Sequence, residues 1–119
     1  MAKSKSADTS TEDPKMLQIR PNCEWCDAEL PPNSDAAQIC SYECTYCASC
    51  VQNVLHNVCP TCGGGFAPRP IRPMIAYRNA PKLGLANQPA SQIRVHSKYS
   101  KDDVAQMVKR LKDVPSGQR

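Results

Sequence analysis

The chain has 119 residues, a formal net charge of +4 and 22% charged side chains, and it carries eight cysteines against one tryptophan and one phenylalanine. That length holds one domain, and so few large apolar side chains cannot close a sizeable core unaided. No run approaches the about 18–20 apolar residues of a membrane-spanning helix. Met1 to Asp8 have no apolar stretch behind their lysines, so no secretory signal is expected.

Residues 1–15 are mostly Lys, Ser, Thr, Asp and Glu and are expected to be disordered. Met16 to Arg20 alternate apolar and polar positions, as a short strand would, and Pro21 ends that pairing. Cys23-Glu24-Trp25-Cys26 is a tight cysteine pair. Leu30 to Asp35 form a turn by composition. Ala36 to Ile39 read as a strand entering Cys40, and Tyr42 and Tyr46 around Cys44 suit a compact hairpin. From Cys50 to Val58, the apolar residues Val51, Val54, Leu55 and Val58 follow the i, i+3, i+4, i+7 pattern of a short helix with one buried face, and His56 falls off that face.

Cys59-Pro60-Thr61-Cys62-Gly63-Gly64 is the most specific local motif. Proline pre-sets its turn, and glycine after the second cysteine permits a left-handed backbone. Gly63 to Gly65 read as a hinge, and Phe66 to Pro73 as an extended proline–arginine arm. Residues 74–99 contain Pro81 and Pro89 and no helical period, so they are expected to run extended over another surface. Ser100 suits an N-cap, Asp102 and Asp103 the first turn of a helix, and Lys109, Arg110 and Lys112 its last turn. Val104, Met107, Val108 and Leu111 form its apolar stripe. The expected organisation is therefore a disordered extension (1–15), a cysteine-rich domain (16–66), an arm (67–99), an amphipathic helix (100–114) and a disordered end (115–119).

All eight cysteines lie between Cys23 and Cys62, as Cys23-x2-Cys26, Cys40-x3-Cys44-x2-Cys47-x2-Cys50 and Cys59-x2-Cys62. Cysteines two residues apart aim two sulfurs at one metal, and two such pairs close a tetrahedron, so eight sulfurs make two sites. A block of this size needs such a staple, and a structural zinc supplies on the order of 10–16 kcal/mol of folding energy. Disulfides would need an oxidising compartment, and a cytoplasmic location is expected. Two zinc ions are the expected cofactors. An iron–sulfur cluster is the alternative, because Cys44-x2-Cys47-x2-Cys50 with Cys59-Pro60 approaches the ferredoxin run, with a longer last gap. The spacing leaves two pairings. One joins Cys23, Cys26, Cys40 and Cys44, and separately Cys47, Cys50, Cys59 and Cys62. The other joins Cys23, Cys26, Cys47 and Cys50 as a first site and Cys40, Cys44, Cys59 and Cys62 as a second.

Residues 23–62 resemble a RING finger whose eight ligands are all cysteine, with Trp25 before the second ligand, a short helix after the sixth and Pro60 after the seventh. The resemblance implies the second, cross-braced pairing. It also implies Trp25, Val54 and Pro60 as partner-binding candidates, since these positions contact the conjugating enzyme in RING ubiquitin ligases. Gly63 stands where such ligases often carry a basic residue. Arg20-Pro21-Asn22-Cys23, Ile39-Cys40-Ser41-Tyr42-Glu43-Cys44-Thr45-Tyr46-Cys47, Val58-Cys59-Pro60-Thr61-Cys62-Gly63-Gly64-Gly65-Phe66 and Arg69-Pro70-Ile71-Arg72-Pro73 resemble a family of small cysteine-rich bacterial proteins, domain of unknown function 1272. That resemblance implies a bacterial cytosolic setting and metal binding, and no activity. The expected fold is a small metal-stabilised α+β domain. It has a two-zinc, RING-like cross-brace core with a short hairpin and one helix, followed by an extended basic arm and a C-terminal helix.

Charge is divided along the chain. Residues 22–62 carry five Asp or Glu and no Lys or Arg, whereas residues 63–119 carry eleven Lys or Arg against three Asp. The basic tail is expected to fold back on the acidic block, with its apolar stripe docked near Trp25 or on a second copy. No nucleophile–base pair or phosphate loop is visible, and closed four-cysteine sites leave no open position for catalysis. The expected function is a structural zinc module that binds another protein, with no catalytic residues. A ubiquitin-ligase-like scaffold and nucleic-acid binding through residues 69–112 are the alternatives. A homo-oligomer is a further candidate, and no membrane partner is expected.

Overall fold

The computed structural model describes residues 17–119, so the expectations for residues 1–15 and Met16 lie outside the described residues. Strand β1 (Ala37–Ile39) and strand β2 (Thr45–Cys47) form the expected hairpin. They pair antiparallel with Ala37 opposite Cys47, Gln38 opposite Tyr46 and Ile39 opposite Thr45. Between them Glu43 takes a left-handed φ of 75°, and its amide donates to the Cys40 carbonyl. A third strand, β3 (Ala67–Pro68), pairs with the other edge of β1 and gives the order β2-β1-β3. Pro68 can serve there because β3 is an edge strand.

Helix α1 (Ala48–Cys50) starts directly after β2 and continues as one π-helical turn, Val51–Leu55. It stops where His56 and Asn57 turn left-handed, at φ 47° and 62°. Val51, Leu55 and Val58 are buried, while Val54 is half-buried and His56 exposed, as their spacing requires. Helix α2 (Lys101–Leu111) is capped by Ser100, whose side chain accepts from the Asp103 amide while Asp103 accepts from the Ser100 amide. Val104 and Val108 are buried. They join Leu30, Ala37, Tyr46, Leu55, Val58 and the buried cysteines in one core. The tail therefore docks on its own chain. Phe66 closes the core from the β3 side, its ring edge-on to Tyr46 at 5.5 Å.

Several expectations are corrected. Residues 17–20 form no strand; only Asn22 and Glu29 make an isolated bridge beyond them. Gly63 to Gly65 are no hinge. The Gly63 amide bonds the Cys59 carbonyl, the Gly64 carbonyl accepts from Cys59, and a Cβ on Gly63 would lie 2.9 Å from Leu111. Residues 115–119 are held by a 3-10 turn, Ser116–Gln118, and by Arg119, which donates to the carbonyls of Asn57 and Gly63. Within the arm, residues 73–88 fold into a lobe of their own, and residues 91–97 run along the first cysteine pair. Ser91 donates to the Ile19 carbonyl there, and Ser97 to the Glu24 carbonyl. No helix among the described residues is long and apolar enough to cross a membrane.

Candidate metal centre

The first and last cysteine pairs are built alike. In Cys23-x2-Cys26 the Asp27 amide donates to the Cys23 carbonyl, and the Cys23 amide donates to the Ala28 carbonyl, both at 2.9 Å. In Cys59-x2-Cys62 the Gly63 amide donates to the Cys59 carbonyl, and the Cys59 amide to the Gly64 carbonyl, both at 2.8 Å. The residue after the second cysteine is left-handed in each, Asp27 at φ 66° and Gly63 at φ 79°. Asp27 adopts without glycine the backbone that glycine supplies in the other turn, a conformation its short polar side chain tolerates. Cys47 caps α1, and its sulfur accepts from the Cys50 amide.

These turns gather sulfurs into two groups. The sulfurs of Cys23, Cys26, Cys47 and Cys50 all lie within 4.8 Å of one another, as do those of Cys40, Cys44 and Cys59. The groups alternate along the chain, and no group among the described residues joins Cys23 and Cys26 to Cys40 and Cys44. Cys62 stands outside the second group; it is exposed, and its sulfur accepts from the Gly64 amide. No cysteine is in a disulfide. The Cys26 and Cys47 sulfurs are 3.7 Å apart. A tetrahedral ion with metal–sulfur bonds of about 2.3 Å spaces its ligands about 3.8 Å apart, so the first group fits one.

The surroundings also suit thiolates bound to metal. Backbone amides of Cys26, Tyr42, Cys50 and Gly64 point at the sulfurs of Cys23, Cys40, Cys47 and Cys62. Without an ion the sulfurs of Cys40, Cys50 and Cys59 favour protons. Burial pushes the Cys40 thiol up to about 11, and burial also raises that of Cys50. The bond that Cys59 gives to Cys44 holds Cys44 down to about 6 and raises Cys59 in turn. One thiolate is thus stabilised by its protonated neighbours.

Polar side chains that the sequence did not mark hold the framework. Asn22 is fully buried and bonds the Val95 backbone in both directions, fixing the arm to the first knuckle. Buried Glu24 accepts from Arg20 at 2.6 Å and from the Thr45 amide at 2.7 Å, which ties that knuckle to β2. Arg69 is 3% exposed and donates to the carbonyls of Arg20, Leu30 and Pro31. Exposed Arg94 spans Asp27 and Glu29, and its hydrogen bond holds the Asp27 carboxyl below the usual carboxylate range. Asn22 and Glu24 flank Cys23, but nothing in their type announces burial. Arg69 sits in the repeated Arg-Pro pattern, which was the one available signal.

Of the three partner-binding candidates, Pro60 is buried, whereas Trp25 and Val54 are half-buried and line an open groove of about 660 Å³. Val104, Ala105 and Val108 of α2 form its other wall. Lys101, Lys109 and Lys112 stand along it, and no acidic side chain lines it.

The family model described as "Protein of unknown function (DUF1272)" matches residues 16–72. An uncharacterised protein of Rhizobium meliloti (strain 1021) is 50% identical over 66 residues, covering 56% of this chain and 79% of that protein. No solved structure matches. With that identity over most of the relative's length, and with every gathered cysteine inside the family match, the chain belongs to the DUF1272 family of proteins of unknown function.

Proposed function

We propose that the chain is a structural zinc module that presents a surface to another protein. Cys23, Cys26, Cys47 and Cys50 hold one zinc; Cys40, Cys44, Cys59 and Cys62 hold the second. The observation that carries this reading is the alternation of the two sulfur groups along the chain, which supports the cross-braced pairing. Cys62 is assigned to the second site because its turn repeats the backbone bonds of the Cys26 turn. The close sulfur spacing favours a single ion over a multi-iron cluster, whose thiolates bind different irons and stand farther apart. Zinc bound by four cysteines is closed, so its role here is to hold the fold, in a cytosolic setting where thiols stay reduced.

The partner surface is the groove between Trp25, Val54 and α2, an apolar floor with a basic edge. The ligase-like alternative draws no support from this face. Pro60 is buried, and α2 of the same chain lies beside Trp25 and Val54. Nucleic-acid binding through residues 69–112 is also weakened, because Arg69, Arg72 and Arg94 are spent on internal carbonyls and carboxylates.

Elemental analysis of untagged protein purified without oxygen should give two zinc ions per chain. Cadmium-113 NMR should couple one metal to Cys23, Cys26, Cys47 and Cys50 and the other to the remaining four. Iron with acid-labile sulfide would overturn the metal assignment, and coupling of Cys23 and Cys40 to one metal would overturn the pairing.

A further inference from the structure

We propose that the lobe at residues 73–88 is a docking surface for an anionic lipid bilayer. The described residues expose seven large hydrophobic side chains, and four of them belong to this lobe: Met74 at 75%, Ile75 at 55%, Tyr77 at 80% and Leu83 at 55%. Ile71, just before it, is a fifth. A cluster of that kind marks a contact site when it is held outward by folded structure.

This lobe is folded. The Leu85 amide donates to the Pro73 carbonyl at 2.8 Å and the Ala86 amide to the Met74 carbonyl at 3.2 Å, so its two arms run side by side. The Gln88 side chain bonds the Lys82 carbonyl. Arg72 ties the base down by donating to the carbonyls of Gln88 and Leu17, both at 2.7 Å. Gly84 lets the arms meet: at φ +114°, a Cβ there would lie 2.8 Å from the Ile75 carbonyl. The backbone is ordered, yet the apolar side chains face water.

Charge selects the partner. No Asp or Glu occurs from Gly63 to Lys101, and Arg78 and Lys82 of the lobe make no ion pair among the described residues. Two such lobes from two copies would place like charges together, which disfavours self-association. Nucleic acid asks for a ladder of phosphate contacts, and the neighbouring Arg69, Arg72 and Arg94 are already engaged. A lobe of sixteen residues is smaller than one side of an ordinary protein interface, about 20–30 residues. A bilayer surface needs no matching shape. Aliphatic side chains enter the acyl boundary, Tyr77 sits at the headgroup level, and Arg78 and Lys82 remain at the phosphates. The expectation of no membrane partner rested on the lack of a membrane-spanning run, and a peripheral surface requires none.

The test is flotation of the full-length, metal-loaded protein with vesicles of equal parts phosphatidylglycerol and phosphatidylcholine, against vesicles of phosphatidylcholine alone. The protein should float with the anionic vesicles and stay behind with the neutral ones. M74S/I75S and R78Q/K82Q should each lower the bound fraction several-fold, with metal content and circular dichroism unchanged because all four side chains are exposed. Failure to float, equal binding to neutral vesicles, or wild-type binding by both variants overturns the proposal. Retention on immobilised poly-glutamate without flotation overturns it in favour of an acidic protein.

Discussion

Arg69 shows how single polar side chains carry the fold around the cysteines. Its guanidinium is buried and satisfies three carbonyls, from Arg20, Leu30 and Pro31, that no strand or helix partner reaches. A planar fork with fixed donors is suited to that work, and lysine could not reproduce it. Arg69→Ala removes the donors and leaves the Arg20 and Leu30 carbonyls to find water, while Pro31 keeps the Ser34 amide. It should cost about 2–4 kcal/mol, since each stranded buried group costs about 1–3 kcal/mol. Denaturant unfolding of the metal-loaded protein measures this. Arg94 is the contrast: it bridges Asp27 and Glu29 in solvent, so Arg94→Ala should change the unfolding midpoint far less.

At the scale of elements, α2 is the clearest case of local chemistry followed by docking. Ser100 and Asp103 form a reciprocal capping box, and replacing such a cap typically costs about 1 kcal/mol. Ser100→Ala should therefore speed amide exchange over residues 101–104 while leaving both sulfur groups intact. Burial of Val104 and Val108 then fastens the helix beside Trp25. Val108→Asp puts a charge where that face meets the core. It should release α2, shift Trp25 emission to the red, and leave metal content unchanged. If Trp25 emission stays where it was, α2 does not dock there in solution.

For the whole molecule, packing is expected to depend on metal held by the sulfur groups. The sulfur groups sit inside the same core that receives α2, and the strands are only two or three residues long. Stripping the metal with a strong chelator should unfold the cysteine domain and undock α2 together. Circular dichroism and Trp25 emission should follow one curve. Acid should act in the same direction. In the metal-free chain burial favours the thiol forms of Cys40 and Cys50, whereas metal requires thiolates, so each bound ion displaces protons and falling pH favours release. A dye-based assay of released metal against pH should rise in step with unfolding.

Eight cysteines at knuckle spacing by themselves pointed to a small α+β domain with cysteine groups that could hold metal, because ligand spacing is local. The hairpin at β1 and β2, the helix after Cys50 and the capped helix at Ser100 were legible for the same reason: periodicity and caps act within a few residues. Tertiary structure alone decided what depends on distant partners. Pro68 became an edge strand because β1 offered a free side, and the glycines after Cys62 became a packed turn because Leu111 covers Gly63 and Ser116 and Asn57 cover Gly65. Arg69 became an internal strut because the chain path brings the carbonyls of Arg20, Leu30 and Pro31 within reach of its guanidinium. The alternation of the sulfur groups belongs here too. Spacing allowed two pairings, and only the path of the chain in space brings Cys23 and Cys26 against Cys47 and Cys50.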